Sequence, residues 1–168
     1  LDEVEHTLSD SMLVIADEHK PVALAGVMGG ANSGISDTTT TVVFESAMFH
    51  PGCVRRGAKA LGMRTESSAR FEKGLDCENT LQALARACEL VRLLDAGDIV
   101  DGLIDEYPTK KVPFRLPLDA EQINRFLGVD IAVTRMEEIL KSLGFGIDGN
   151  MLTVPTWRDD VRCMNDVA

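Results

Sequence analysis

No apolar run in this chain is long enough to cross a bilayer, and no basic-then-apolar leader opens it. With hydrophobic residues at 45% and charged residues at 26%, these absences imply a soluble globular chain and a cytoplasmic setting, with no membrane partner. The four cysteines, Cys53, Cys77, Cys88 and Cys163, form no CxxC or Cys/His pattern. A zinc site is therefore not expected, and reduced thiols are. His6, His19 and His50 are far apart and fall in no ligand motif, so they read as surface or capping residues. An excess of positive charge is also missing. The net charge is −10, which argues against a general nucleic-acid binder. There is no internal repeat and no low-complexity segment. The 168 residues allow one ordinary domain or two small ones. A start at Leu1 rather than Met, and an end at Ala168 just after a dense acidic stretch, suggest a piece of a longer protein.

The charge that is present is uneven. Residues 1–109 carry 9 Lys and Arg against 18 Asp and Glu, whereas residues 110–168 carry 8 against 9. Inside the acidic region, the stretch 55–73 runs the other way. Arg55, Arg56, Lys59, Arg64, Arg70 and Lys73 face only Glu66 and Glu72. This island could meet a phosphate backbone locally, or it could be a solvated helix face.

The pattern of apolar residues predicts mixed α and β structure. Strands are expected over 12–17, over the thin, glycine-containing run 21–29, and over the β-branched run 39–49. Pro51 opens a helix expected to reach residue 61, with Gly62 as its stop. The polar segment 62–74 shows no clear period. Asp76 reads as the N-cap of a long helix to about residue 95, with Leu81, Leu84, Ala85, Cys88, Val91 and Leu94 on one face. A short strand over 98–105 comes next. Two prolines and adjacent lysines make 106–113 read as a linker, dividing the chain into domains at 1–107 and 112–168. Beyond it, a strand over 114–118 leads to a helix capped by Asp119 and stopped by Gly128. A second helix comes after it, with a capping box of Thr134 and Glu137, and then a hairpin turned at Asp148-Gly149. Helix, helix, hairpin is the order of a winged-helix-like module.

Chemistry is suggested first by 26-GVMGGANSG-34. No GK[ST] follows the glycines, so it is not a P-loop, and the spacing is not GxGxxG. It can serve as a tight backbone wall against a small ligand or only turn the chain. Glu45 lies inside the apolar run VVFESAMF, where a carboxylate is costly unless paired or hydrogen-bonded. It can bind a ligand hydroxyl or amine, or cap a backbone amide. Thr65, Ser67 and Ser68 lie beside Arg64 and Arg70, but no GxSxG elbow marks a nucleophile.

The strings VALAGVMGGANSGISDTTTTVVFESAMFHP and RRGAKALGMRTESSARFEKGLD closely resemble the B3/B4 editing domain of the bacterial phenylalanyl-tRNA synthetase β subunit. RLPLDAEQINRFLGVDI and TVPTWRDDV resemble the B5 domain of the same subunit. The resemblance covers essentially the whole chain, in order. It implies an α+β chain: a mixed α/β B3/B4-type domain followed by a small winged-helix-like B5-type domain. It also implies a cytoplasmic α₂β₂ ligase that joins phenylalanine to tRNA(Phe) with ATP and Mg²⁺. The adenylation site would lie on the α subunit, so no cofactor, metal or catalytic residue is expected in this chain.

The editing domain of that family hydrolyses tyrosine wrongly attached to tRNA(Phe). A hydrophobic pocket rejects an added hydroxyl poorly, so a second, hydrolytic site is useful. By resemblance Glu45 matches the glutamate that recognises the tyrosine hydroxyl. Gly29 matches a pocket-wall glycine, with Gly30 beside it, and Thr65 matches a pocket threonine. Ser67 stands where the family often has alanine. Arg55, Arg56, Lys59 and Arg64 are the residues expected to face tRNA. The family's site also draws on a His and polar residues from upstream of Leu1. About half the pocket is therefore expected here, with weak or absent hydrolysis by this chain alone. A non-catalytic tRNA-binding or assembly role within the same enzyme is the alternative.

Overall fold

The computed structural model describes residues 2–168, and the chain divides into two units, Leu1–Asp101 and Gly102–Ala168. Both combine helices with a small antiparallel sheet or short strands, so the chain is α+β.

In the first unit β1 (Val14–Ala16), β2 (Pro21–Leu24) and β3 (Met28–Gly29) form one antiparallel sheet in that order. Asp17 makes the first turn by accepting from the backbone N–H groups of His19 and Lys20, at 2.7 and 2.8 Å. The run 21–29 is thus two strands rather than one. Gly26, at φ +68°, turns the chain between them, and the Val27 N–H donates to the Leu24 carbonyl at 3.0 Å. A Cβ on Gly26 would lie 3.1 Å from Phe49 and Val54 and 3.2 Å from Phe71. Glycine is needed here both for the left-handed backbone and for the close packing.

Helix α1 (Pro51–Ala60) starts on its proline, as expected, and buries Val54, Gly57 and Ala58 at helical spacing. These meet Val27, with Leu24, Met28, Phe49, Met63 and Phe71 packed around them. The Phe49 and Phe71 rings are 5.0 Å apart. Helix α2 (Glu66–Phe71) arises where no period was legible, because it is set by its cap. Thr65 accepts from the Ser68 N–H at 3.0 Å, and the Ser68 hydroxyl accepts from the Thr65 N–H at 2.9 Å. Asp76 accepts from the Glu78 N–H at 3.2 Å in a 3₁₀ turn that leads into α3 (Thr80–Leu93). No residue of α3 is fully buried. Leu84, Cys88 and Val91 are half-buried, while Leu81, Ala85 and Leu94 of the expected apolar face are exposed.

Two expected strands do not form. Among the described residues neither 39–49 nor 98–105 joins a sheet, and Val43 and Ile104 are 93% and 89% exposed. β-branched residues favour a pleated, half-buried surface, but a strand exists only where a ladder partner accepts its backbone groups. Neither stretch has one.

The second unit runs β4 (Arg115–Pro117), α4 (Ala120–Leu127), α5 (Val133–Ser142), β5 (Gly146–Asp148), β6 (Met151–Thr153) and α6 (Met164–Val167). Its sheet has the order β4-β6-β5, all antiparallel, with Leu152 opposite both Leu116 and Ile147. Asp119 caps α4 through the Gln122 N–H at 2.9 Å, and Gly128 ends it in the left-handed conformation. The Asn124 side chain then clamps Ile131, donating to its carbonyl and accepting from its N–H. The expected Thr134–Glu137 capping box is absent. Helix α5 begins on the Ala132 carbonyl, which accepts from Arg135 and Met136, so Thr134 lies inside the first turn. The hairpin loop is Gly149-Asn150, one residue later than expected, with Gly149 at φ +58°. Leu152, fully enclosed, centres a core shared by Leu116, Ile123, Leu140, Val154 and Val161. The stretch read as a linker is tied into this unit. Lys111 Nζ donates to the Thr156 carbonyl at 2.6 Å and lies 2.7 Å from Asp159, and its N–H donates to the Tyr107 hydroxyl.

Candidate functional site

The glycine-rich loop after β3 folds onto the backbone of β2. Gly30 N–H and the Ser33 hydroxyl both donate to the Val22 carbonyl at 2.8 Å, and Asn32 Nδ2 donates to the Pro21 carbonyl at 3.2 Å. A Cβ on Gly30 would stand 2.6 Å from the Val22 oxygen, so only glycine fits. This loop and β3 form one wall of a cavity of about 490 Å³, within the range of small-molecule sites. Leu24, Met28, Leu61 and Met63 add apolar surface, and Asp2, Glu3, Glu5 and His6 add polar groups. The His6 ring lies 3.1 Å from Asp2 and holds that carboxyl below the usual range, helped by the Val4 N–H.

Gly29 and Gly30 both line this cavity, whereas Glu45, Thr65 and Ser67 do not. Thr65 instead belongs to the frame. Its hydroxyl donates to the Val27 carbonyl at 2.8 Å, tying the cap of α2 to the residue before β3. Ser67 is half-buried on α2. Glu45 lies in the irregular stretch before α1 and is exposed, with no hydrogen bond or ion pair among the described residues. Nearby atoms still remove some of its water and push its carboxyl up. The next side chain, Ser46, is anchored by donating to the Thr80 carbonyl at 2.8 Å.

The basic island is partly assembled. Arg55 and Lys59, one turn apart on α1, meet Arg64 around a second cleft of about 200 Å³, which Met63, Ser68 and Glu72 also line. Arg56 lies outside the cleft, 3.5 Å from the Cys53 sulfur. Arg70 pairs with Glu66 at 2.9 Å. Two further residues matter here: Ser68, noted in the sequence only as part of a hydroxyl cluster, and Met63, not singled out at all. Ser68, only 2% exposed, holds the α2 cap, and the Thr65-x-x-Ser68 spacing was its signal. Met63 lines both cavities, and nothing in a polar segment singled it out.

Two family models match the chain in order: the B3/4 domain over residues 1–95 and the tRNA synthetase B5 domain over residues 116–168. The chain belongs to the B3/4 domain family, with a B5 domain following. This B3/4–B5 chain is also similar to proteins named phenylalanine–tRNA ligase beta subunit. It is 43% identical to that of Salinibacter ruber over 99% of its length. It is 42% identical to those of Protochlamydia amoebophila and Clostridium tetani, over 96% and 100%. It spans about a fifth of these relatives, 21%, 21% and 22% of their respective lengths. The resemblance carried by the GGANSG, ESAMF and SARFEKGLD strings is thereby borne out. Among the described residues no helix of the B3/4–B5 chain is long and apolar enough to cross a membrane.

Proposed function

We propose that the B3/4 unit contributes to the site at which phenylalanine–tRNA ligase hydrolyses tyrosine wrongly attached to tRNA(Phe). The observation that carries this reading is the 490 Å³ cavity walled by Gly29 and Gly30, in a chain of this family. A cavity of that size accepts an aromatic side chain, and its apolar wall by itself discriminates weakly between Phe and Tyr. Glu45 supplies the discrimination. Its carboxyl has no partner among the described residues and is partly desolvated, so it is free to bond the tyrosine hydroxyl and is left unpaired when phenylalanine enters. The reading requires the strand-free 40–50 stretch to close over the bound ligand, with Thr65 and Ser67 behind it.

The ester is cleaved by a positioned water, without a nucleophilic side chain of this chain. The complete enzyme is an α₂β₂ cytoplasmic ligase using ATP and Mg²⁺, and its aminoacylation chemistry belongs to the α subunit. Among the described residues no three metal-ligating side chains come together. In the B5 unit the return of β6 to pair with β4 supports a winged-helix-like reading, with packing inside the β subunit as its role.

The test is deacylation of tyrosyl-tRNA(Phe) by the full ligase, with and without Glu45→Ala. The variant is expected to lose its preference for tyrosyl over phenylalanyl ester. An unchanged rate and preference would remove Glu45 from the site. The 168-residue chain alone is expected to hydrolyse weakly or not at all. A second reading, a non-catalytic tRNA-binding module, is favoured by the unpaired cations Arg55, Lys59 and Arg64. It predicts that reversing Arg55, Arg56 and Lys59 weakens tRNA binding without altering tyrosine preference.

A further inference from the structure

We infer that the cleft between α1 and α2 is a seat for one phosphodiester group of the RNA strand whose aminoacyl end enters the neighbouring cavity, an inference that rests on the editing reading above.

Among the described residues three cations converge on the cleft, and Glu72 is the one carboxylate that lines it. None of Arg55, Lys59 and Arg64 is within ion-pair distance of a carboxylate among the described residues, and all three are exposed. Two other cations of the unit are neutralised locally, Arg70 by Glu66 and Arg86 by Glu89, but of the described cations only Arg55, Lys59 and Arg64 line the cleft. The backbone that presents the three is well defined. Arg55 and Lys59 share one face of α1 at i, i+4 spacing. Gly62, at φ +65°, turns the chain back, and the Met63 N–H bonds the Ala58 carbonyl at 2.9 Å, which brings Arg64 round to the same side. The Thr65–Ser68 cap then fixes the start of α2 immediately after Arg64.

The volume, about 200 Å³, is several water volumes of about 30 Å³ each, room for a partly hydrated phosphate. The surroundings narrow the choice of ligand pose. Residues 1–109 carry twice as many acidic as basic side chains, so a polyanion is repelled elsewhere on this region of the chain. Met63 lines both the cleft and the 490 Å³ cavity. A strand held by a phosphate in the cleft is therefore anchored beside the cavity that takes its esterified end. Binding energy gathered at the phosphate then positions the ester.

The experiment uses the full ligase with Arg55→Gln, Lys59→Gln and Arg64→Gln, singly and combined. Arg86→Gln, whose cation already pairs on α3, is the control. Affinity for uncharged tRNA(Phe) is measured across a salt series. The combined variant is expected to bind about tenfold more weakly, and the log–log salt slope to become shallower by about one. In parallel, kcat/KM is measured for tyrosyl-tRNA(Phe) and for tyrosyl-adenosine, which has no phosphodiester. The first is expected to fall about tenfold and the second to stay unchanged. Unchanged affinity and slope overturn the seat. An equal loss on both esters also overturns it, because the cleft would then only support the cavity wall. If the unaltered enzyme cleaves neither ester, the editing reading fails, and the tRNA affinity and salt slope alone decide the seat.

Discussion

Gly26 shows how one residue without a side chain decides the local fold. Its φ of +68° turns β2 into β3, and Phe49, Val54 and Phe71 occupy the space a Cβ would need. Gly26→Ala is expected to cost about 1–3 kcal/mol, from backbone strain and overpacking together. Urea unfolding of the chain would show this as a lower midpoint at an unchanged slope. Glu45 is a case of charge rather than volume. Partial desolvation raises its carboxyl above the ordinary value of 4.5. For a carboxyl raised in the folded state, the contribution to stability is fully present below the ordinary value and is lost as pH rises through the folded one. Glu45→Gln should therefore flatten the stability profile in that acidic window and raise stability at neutral pH. A profile identical to the parent's would mean that the carboxyl is fully hydrated. That Glu45 would stand out was legible in VVFESAMF. That it would be exposed was not, because a run of apolar neighbours says nothing about whether a partner covers them.

At the scale of elements, legibility followed the kind of signal each carries. Helices α1 and α4 were readable because Pro51 and Asp119 start them and glycines stop them, all within the element itself. Helix α2 was hidden because its capping box uses Ser68 where Glu or Gln is the usual third residue. The strand pair β2–β3 read as one strand because its three-residue turn, Ala25-Gly26-Val27, carries one glycine between two apolar residues and continues the apolar run. The expected strands over 39–49 and 98–105 failed for the opposite reason, since their partners had to come from elsewhere in the chain. The α2 cap also carries a prediction. Thr65 both accepts from Ser68 and donates to Val27, so it joins α2 to the wall that holds Gly29 and Gly30. Thr65→Val removes both bonds and should destabilise the fold by about 1–2 kcal/mol, whereas Thr65→Ser should keep most of the stability. If Thr65→Val were as stable as Thr65→Ser in thermal unfolding, the cap would be dispensable.

Across the whole molecule apolar burial is unequal. The Gly102–Ala168 unit encloses a cluster that runs from Leu116 to Met164 around Leu152, while the first unit's fully buried cluster is Val27, Val54 and Ala58. Family membership and the glycine wall were legible because they rest on local strings. The two cavities were not, since each joins residues far apart in the chain, such as Leu24 with Met63. Hydrogen exchange measured on the chain in solution should reproduce this inequality. Backbone amides of β6 and of Val154, which bonds the Phe114 carbonyl at 2.8 Å, should be among the slowest to exchange. Amides of 40–49 and 98–105, outside any ladder among the described residues, should exchange within the earliest time points. Slow exchange over 40–49 in the chain alone would show that a strand partner is present after all, and would place Glu45 in the buried setting that its neighbours first suggested. Slow exchange there only when the ligase is saturated with tyrosyl-tRNA(Phe) would be the signature of the stretch closing over its ligand, which the editing reading requires.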